Sequence, residues 1–93
     1  MPHVKYSPIY DELEIIYKES PVVSTYKTSN GLFVEFDGED LAYIIAPNFS
    51  QAIHMRPPDD TIFTYVEEKI SDPILTLIIQ MNEQNINIKV DLS

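Results

Sequence analysis

The first half of the chain alternates between apolar and polar positions. Leu13, Ile15 and Tyr17 alternate with Glu12, Glu14 and Lys18, and only Ile16 interrupts the polar set. A period of two is that of a strand with one buried face, predicted over about 11–18. Ser20-Pro21 punctuates it. Val22 to Thr28 is rich in β-branched and aromatic residues and predicts a second strand. Asn30-Gly31 follows; both residues tolerate positive φ, so a tight type I′ turn into a third strand, Leu32 to Phe36, is expected. Asp37-Gly38-Glu39-Asp40 predicts another turn, and Leu41 to Ala46 a fourth strand. Pro47 ends it, having no N–H to give to a ladder. Turns at this spacing describe an antiparallel meander.

Pro47 to Ile53 predicts a short helix capped by Asn48 or Ser50. Two prolines and two acids within Met55-Arg56-Pro57-Pro58-Asp59-Asp60 mark a linker at 56–60. Ser71-Asp72-Pro73 has the features of a helix start: a capping side chain, an acid near the positive dipole end and a proline in the first turn. Ile74, Leu77, Ile78 and Met81 then fall on one helical face, and Leu75 and Ile79 widen the apolar stripe, predicting a helix to about Gln84. In Thr61 to Ile70, Ile62, Val66 and Ile70 stand at helical spacing while Ile62-Phe63-Thr64-Tyr65-Val66 favours a strand by composition; the spacing is weighted more, and a helix is expected. Ile86, Ile88 and Val90 alternate with Asn87, Lys89 and Asp91, predicting a closing strand. The expected fold is α+β: an antiparallel β-meander with one or two helices packed on one face and a C-terminal strand. It is one domain over 1–93, with meander and short helix at 3–55, linker at 56–60, and helical segment plus final strand at 61–93.

Val4-Lys5-Tyr6, then Asp11, Leu13 and Ile15, then Asn30-Gly31-Leu32-Phe33-Val34-Glu35-Phe36-Asp37, then Leu41 to Ile45 and Asn48-Phe49-Ser50 stand in a particular order and spacing. In that order they resemble a family of small prokaryotic domains of unknown function, the one numbered 2283. The resemblance covers about 3–53. The chain departs from the family pattern at Ser7-Pro8, where the family has Asp after Tyr, and in the length of chain from Pro57 onwards. The resemblance implies a compact β-meander with a following helix and no catalytic residues. Toxin-neighbouring genes among the family's members imply an antitoxin-like role.

Composition narrows the function classes. The chain has 93 residues, 44% of them hydrophobic and 23% charged, which is a globular mixture. Fifteen acidic residues face six basic ones, a net charge of −9. Phosphate binding needs a basic footprint, so direct nucleic-acid binding is not expected, nor is binding to an anionic membrane surface. Cysteine is absent, which excludes disulfides and thiolate chemistry. The start, Met1-Pro2-His3-Val4-Lys5-Tyr6, has no apolar signal-peptide core and no apolar run reaches about 18 residues, so a cytoplasmic protein is expected.

Candidate chemistry is sparse. Glu35 and Asp37 project to one face of a strand, with Glu39 and Asp40 just beyond, but the ligand series of a calcium loop is missing. A polar face running into a turn accounts for these four. Glu12 and Glu14 share a solvated side, where nothing would push their pKa values apart as catalysis needs. His3 and His54 are not at ligand spacing, and the two glycines form no phosphate cradle. Neither catalytic, cofactor-binding nor metal residues are assigned, and no cofactor is expected. The sharpest feature is the apolar set Ile74, Leu75, Leu77, Ile78, Ile79 and Met81. Read as a helix, it is too wide for one small sheet to cover, and it is assigned as a candidate interface. A homodimer through this segment is expected, with edge pairing of the closing strand, Asn87 to Asp91, as a second route. The leading functional reading is a small acidic non-enzymatic interaction protein, antitoxin-like or a regulator of a basic partner protein. The alternatives are a small metal-dependent or hydrolytic enzyme using Glu35, Asp37 or Asp40, and an acidic nucleic-acid mimic inhibiting a nucleic-acid enzyme.

Overall fold

The computed structural model describes residues 1–93 as eight strands and one short helix. In chain order these are β1 (His3–Ser7), β2 (Glu12–Ile16), β3 (Ser24–Lys27), β4 (Phe33–Phe36), β5 (Leu41–Ala46), α1 (Phe49–Ile53), β6 (Phe63–Ser71), β7 (Ile74–Met81) and β8 (Gln84–Asp91). They make two antiparallel sheets. The first has the order β1-β2-β5-β4-β3 and the second β6-β7-β8. β3, β4 and β5 are consecutive neighbours, as are β6, β7 and β8; β2 joins β5, so the 17–23 segment crosses the end of the first sheet to reach its far edge. No helix is long and apolar enough to cross a membrane.

One core lies between the two sheets. The first sheet contributes Leu13, Ile15, Val34, Ile44 and Ala46, and the second Tyr65, Leu75, Leu77, Ile79, Ile88 and Val90. Phe49 of α1 plugs one end, packed against Tyr6 and Phe63 with ring centroids 5.7 and 5.9 Å away. Sequence on both sides of the 56–60 segment therefore shares a single core. Pro57 within that segment is itself buried, and the Arg56 guanidinium donates a hydrogen bond to the carbonyl of Pro8 at 2.6 Å.

The largest correction concerns 61–84, where two helices are expected and two strands are found. β7 reads as alternately half-buried and buried along its length, with Leu75, Leu77, Ile79 and Met81 turned inwards. It is the central strand of its sheet, so its outer residues are half-covered as well, and that outer face mixes Ile74 and Ile78 with Thr76 and Gln80. Such a strand satisfies a helical and a two-residue period together. Ser71-Asp72-Pro73 is a hairpin corner rather than a helix start; a proline fits either place because both leave its missing N–H without consequence. In β6 the residues that point inwards are Phe63 and Tyr65, paired with Met81 and Ile79. Ile62, Val66 and Ile70, whose spacing suggested a helix, are all exposed, and Val66 sits at a β-bulge.

The turn at Asn30-Gly31 is a hairpin, as expected, but of another type. Gly31 has φ 91° while Asn30 stays at negative φ. The Gly31 N–H bonds to the Thr28 carbonyl at 3.1 Å, and the Thr28 N–H to the Leu32 carbonyl at 2.8 Å. This is the three-residue loop in which a left-handed glycine follows a tight turn, not the two-residue type I′ turn.

Candidate functional site

Three side-chain networks shape the surface, and each begins in a turn. The first is centred on Asp11, at φ 54° in the β1–β2 turn. Its carboxylate accepts a hydrogen bond from the Tyr6 hydroxyl at 2.6 Å, from the Ser50 hydroxyl at 2.7 Å and from the Ser50 N–H at 3.1 Å. Its carbonyl accepts the Phe49 N–H at 2.9 Å. Asp11 thus caps α1 from 39 residues away. Asn48 occupies the cap position but makes no side-chain cap bond, and Ser50 lies inside the helix, so neither residue caps as expected. The Tyr6 hydrogen bond, assisted by those from Ser50, holds the Asp11 carboxyl below its ordinary pKa.

The second network gathers the acids of the β4–β5 turn. Lys18 reaches Asp37 at 2.7 Å and Asp40 at 3.3 Å, and the Ser20 hydroxyl donates to Asp37 at 2.9 Å. These contacts lower the pKa of Asp37, with the Lys18 bond first among the causes. Glu35 lies elsewhere, across from Thr25 on β3, whose hydroxyl donates to it at 3.2 Å. A register shift between Glu35 and Phe36 takes Asp37 off the face that regular alternation would give it. Glu35, Asp37 and Asp40 therefore do not converge, and no three acidic or histidine side chains in the chain come together as a metal would require.

The third network fastens the two sheets at Asn30. The Thr28 hydroxyl donates to Asn30 Oδ1 at 2.6 Å and accepts the Leu32 N–H at 2.9 Å. The amide, held in this way, donates from Nδ2 to the Lys89 carbonyl at 2.7 Å and accepts from the Asp91 N–H at 3.4 Å. Between this hairpin tip, α1 and the edge of β8 lies an open groove of about 550 Å³. Leu32, Phe49, Ile53 and Ile88 give it an apolar floor; Asn30, Asn48, Gln51 and Asn87 put amides around it, and Lys89 is its one charged residue. In a chain with fifteen acids, no carboxylate lines this groove.

Inside the sandwich the Tyr65 hydroxyl donates to Glu68 at 2.8 Å. The Tyr17 hydroxyl is buried without a hydrogen-bond partner. Burial, followed by the nearby Glu68 carboxylate, pushes the Tyr17 pKa up to about 12, and burial raises that of Tyr65 as well. Both hydroxyls are neutral at physiological pH.

Of the six residues assigned to an interface, Leu75, Leu77, Ile79 and Met81 are in the chain's own core, and Ile74 and Ile78 are half-covered on the outer face of the second sheet. Glu67 and Asn87 flank Ile78 there, so the strip is not continuous. The groove and the Asn30 clamp went unread in the sequence. Their one local signal is a polar Asn30 at a hairpin tip, and its partners are 59 and 61 residues away. Comparison with known proteins places nothing beside this architecture: no family model, no curated protein and no solved structure matches the chain.

Proposed function

We propose that the protein is a small acidic, non-enzymatic interaction protein that binds a basic partner protein. The carrying observation is the placing of its charge. Around the ends of β2, β4 and β5, Lys18 is paired with Asp37 and Asp40, and Glu19 and Glu39 adjoin these residues in the chain. Glu19, Glu39 and Asp40 are exposed, so these two chain segments bring four carboxylates and one lysine to the surface. Such a field attracts a basic surface and speeds encounter with it. Kinship with the 2283 family belongs to the same proposal. It is supported by two separate pieces of the pattern, Asp11 and Asn48-Phe49-Ser50, which meet where the Asp11 carboxylate caps the helix. An antitoxin-like role and a cytoplasmic setting go with that kinship.

The test is co-expression with a basic protein encoded next to the gene, followed by titration of the purified pair. The expected result is a stoichiometric complex whose affinity falls at least about tenfold between roughly 0.05 and 0.3 M salt. The double variant Glu39→Lys, Asp40→Lys is expected to weaken it by a similar factor. No complex, or a complex indifferent to both salt and the double variant, overturns the reading.

A further inference from the structure

We propose that β8 is a self-docking edge: two copies of the chain pair their β8 strands antiparallel about a two-fold axis at Ile86, each inserting its β7–β8 turn at the mouth of the other's groove. The inference rests on the reading of the chain as an interaction protein, and it names one surface and one occupant, a second copy.

The four sheet edges are not equally protected. β3 is only four residues long, begins just after Pro21 and carries Lys27. β1 is five residues long, lies between Pro2 and Pro8 and has Lys5 at its centre. β6 is broken by the bulge at Val66. Short strands, prolines, lysines and bulges are the devices by which edges avoid pairing with other chains. β8 carries one lysine, Lys89, but is neither short, proline-bearing nor bulged. It pairs with β7 over eight continuous residues without a register shift, and it contains no proline.

The direction of its free groups follows from two contacts. The Leu92 N–H bonds to the Pro73 carbonyl, so even-numbered residues turn their backbone groups towards β7. The Lys89 carbonyl and the Asp91 N–H turn the other way, to Asn30. By the alternation of an antiparallel ladder, Asn85 and Asn87 also present their N–H and C=O outwards. These four groups per chain are free of the Asn30 clamp. Asn30 therefore does more than fasten two sheets. It fills the far end of the edge and leaves Asn85 to Asn87 as the segment open to pairing.

That restriction selects a register. Setting Asn85 against Asn87 of the second copy, and the reverse, uses all four free groups and none held by Asn30. Ile86 then meets Ile86 of the second copy on the inner face in a non-hydrogen-bonded pair, where side chains stand closest. The paired asparagines lie on the outer face. Lys89 comes beside the second copy's Glu83, twice by symmetry, so two opposite charges meet although each chain carries −9. The second copy's Gln84 falls opposite Ile88, at the mouth of the groove, among the amides of Asn30 and Gln51. The absence of carboxylates from that groove removes the repulsion that most of this surface would impose. The result is a continuous six-stranded sheet.

Light scattering coupled to size exclusion is the test, at up to about 0.5 mM protein so that even a weak contact is populated. The expected mass is that of two chains. Asn87→Pro should return it to one chain while leaving the circular dichroism unchanged, because the N–H it removes points away from β7. Lys89→Glu should weaken association about tenfold, and adding Glu83→Lys to it should restore the association. A one-chain mass at every concentration overturns the proposal. So does a two-chain mass that Asn87→Pro, shown by circular dichroism to be folded, does not change, or a charge reversal that the second substitution does not rescue. Glu39 and Asp40 are not on β8, so loss of partner binding in their double variant is separable from any change in self-association.

Discussion

The two sheets are held together by different means. In the first, no strand exceeds six residues, and the loops carry the hydrogen-bonding side chains: Asp11 to Tyr6 and Ser50, Thr28 to Asn30, Asp37 to Lys18 and Ser20. In the second, strands of eight and nine residues are joined by two-residue corners at Asp72-Pro73 and Asn82-Glu83, with few side-chain bonds of their own. Long ladders need little help from their turns. Short strands bury less and pair less, so their register depends on turn chemistry. The first sheet is therefore vulnerable at its loops and the second at its inner face, and substitutions can test this division.

The largest effect is expected at the inner face of β7. Leu77 has no exposed surface, and Leu77→Ala should cost about 2–5 kcal/mol through lost burial and the cavity left behind. Ile78, one position on and half-buried, points outwards; Ile78→Ala should cost less than about 1.5 kcal/mol, since much of its surface already meets water. Urea unfolding of both variants measures the difference. Equal costs would mean that the outer face is covered in solution, in conflict with the isolated chain.

The same strand shows where legibility ended. β5 was readable from Leu41 to Ala46 because Pro47 closes it and turn residues open it, and β2 because its polar face is charged. The outer face of β7 is mixed and uncharged, Ile74 and Ile78 alternating with Thr76 and Gln80. Its length of eight between two turn signals was the usable discriminator, since strands of 4–8 residues are common and helices that short are not. In β6, Ile62, Val66 and Ile70 are exposed for separate reasons: Ile62 precedes the strand, Val66 is the extra residue of the bulge, and Ile70 pairs with Leu75 near the hairpin end, so their helical period has no common face behind it. The candidate groove depends on contacts spanning about half the chain or more, namely Asp11 to Ser50 and Asn30 to Lys89, and no local pattern encodes those.

In the first sheet, the expected weak point is Asp11. Asp11→Ala removes the cap of α1 and leaves the Tyr6 hydroxyl and Ser50 N–H without their acceptor, for a cost of about 2 kcal/mol. The pH dependence has a definite sign. The folded-state pKa of Asp11 is lowered, so its contribution is complete above the unfolded value of about 3.9 and is lost as pH falls through the lower folded value. Asp11→Asn should flatten that acid limb in unfolding curves collected from pH 6 down to about pH 2. An unchanged limb would place the acid sensitivity in another carboxylate.

Next in size is the hairpin tip. A Cβ at Gly31 would meet nothing within 4 Å, so only the backbone resists substitution. At φ 91°, Gly31→Val should cost somewhat more than about 1 kcal/mol, while Asn30 is free of that constraint. Asn30→Ala tests the tip differently, because it removes the link to Lys89 and Asp91 and leaves the loop's dihedral demands alone. Gly31→Val should lower the unfolding midpoint, and Asn30→Ala should mainly speed amide exchange at the end of β8. If both substitutions act alike, the clamp and the turn are one device.

The smallest effect belongs to Lys18, although its clasp looks the most complete. Lys18 bonds to Asp37 and Asp40 and joins the 17–23 crossing to the β4–β5 turn. Yet its side chain is half exposed and that of Asp40 largely so, and water and salt screen both charges. Asp37 retains the Ser20 hydroxyl when the lysine is gone. Lys18→Met should therefore shift the urea midpoint less than Gly31→Val does, and the shift should shrink further as salt rises from about 0.05 to 0.5 M. The folded-state pKa of Lys18 is raised, chiefly by its bond to Asp37, so whatever stability the clasp adds is present at neutral pH and is lost as pH climbs through the raised value. The substitution has a second consequence that need not follow stability. It removes the cation that Asp37 and Asp40 share, which strengthens the field that a basic partner would meet. A Lys18→Met variant that unfolds at nearly the same urea concentration yet associates faster with that partner would show that this loop network serves the surface rather than the fold. A large, salt-insensitive loss of stability would instead place Lys18 with Asp11, among the residues on which the short strands depend for their register.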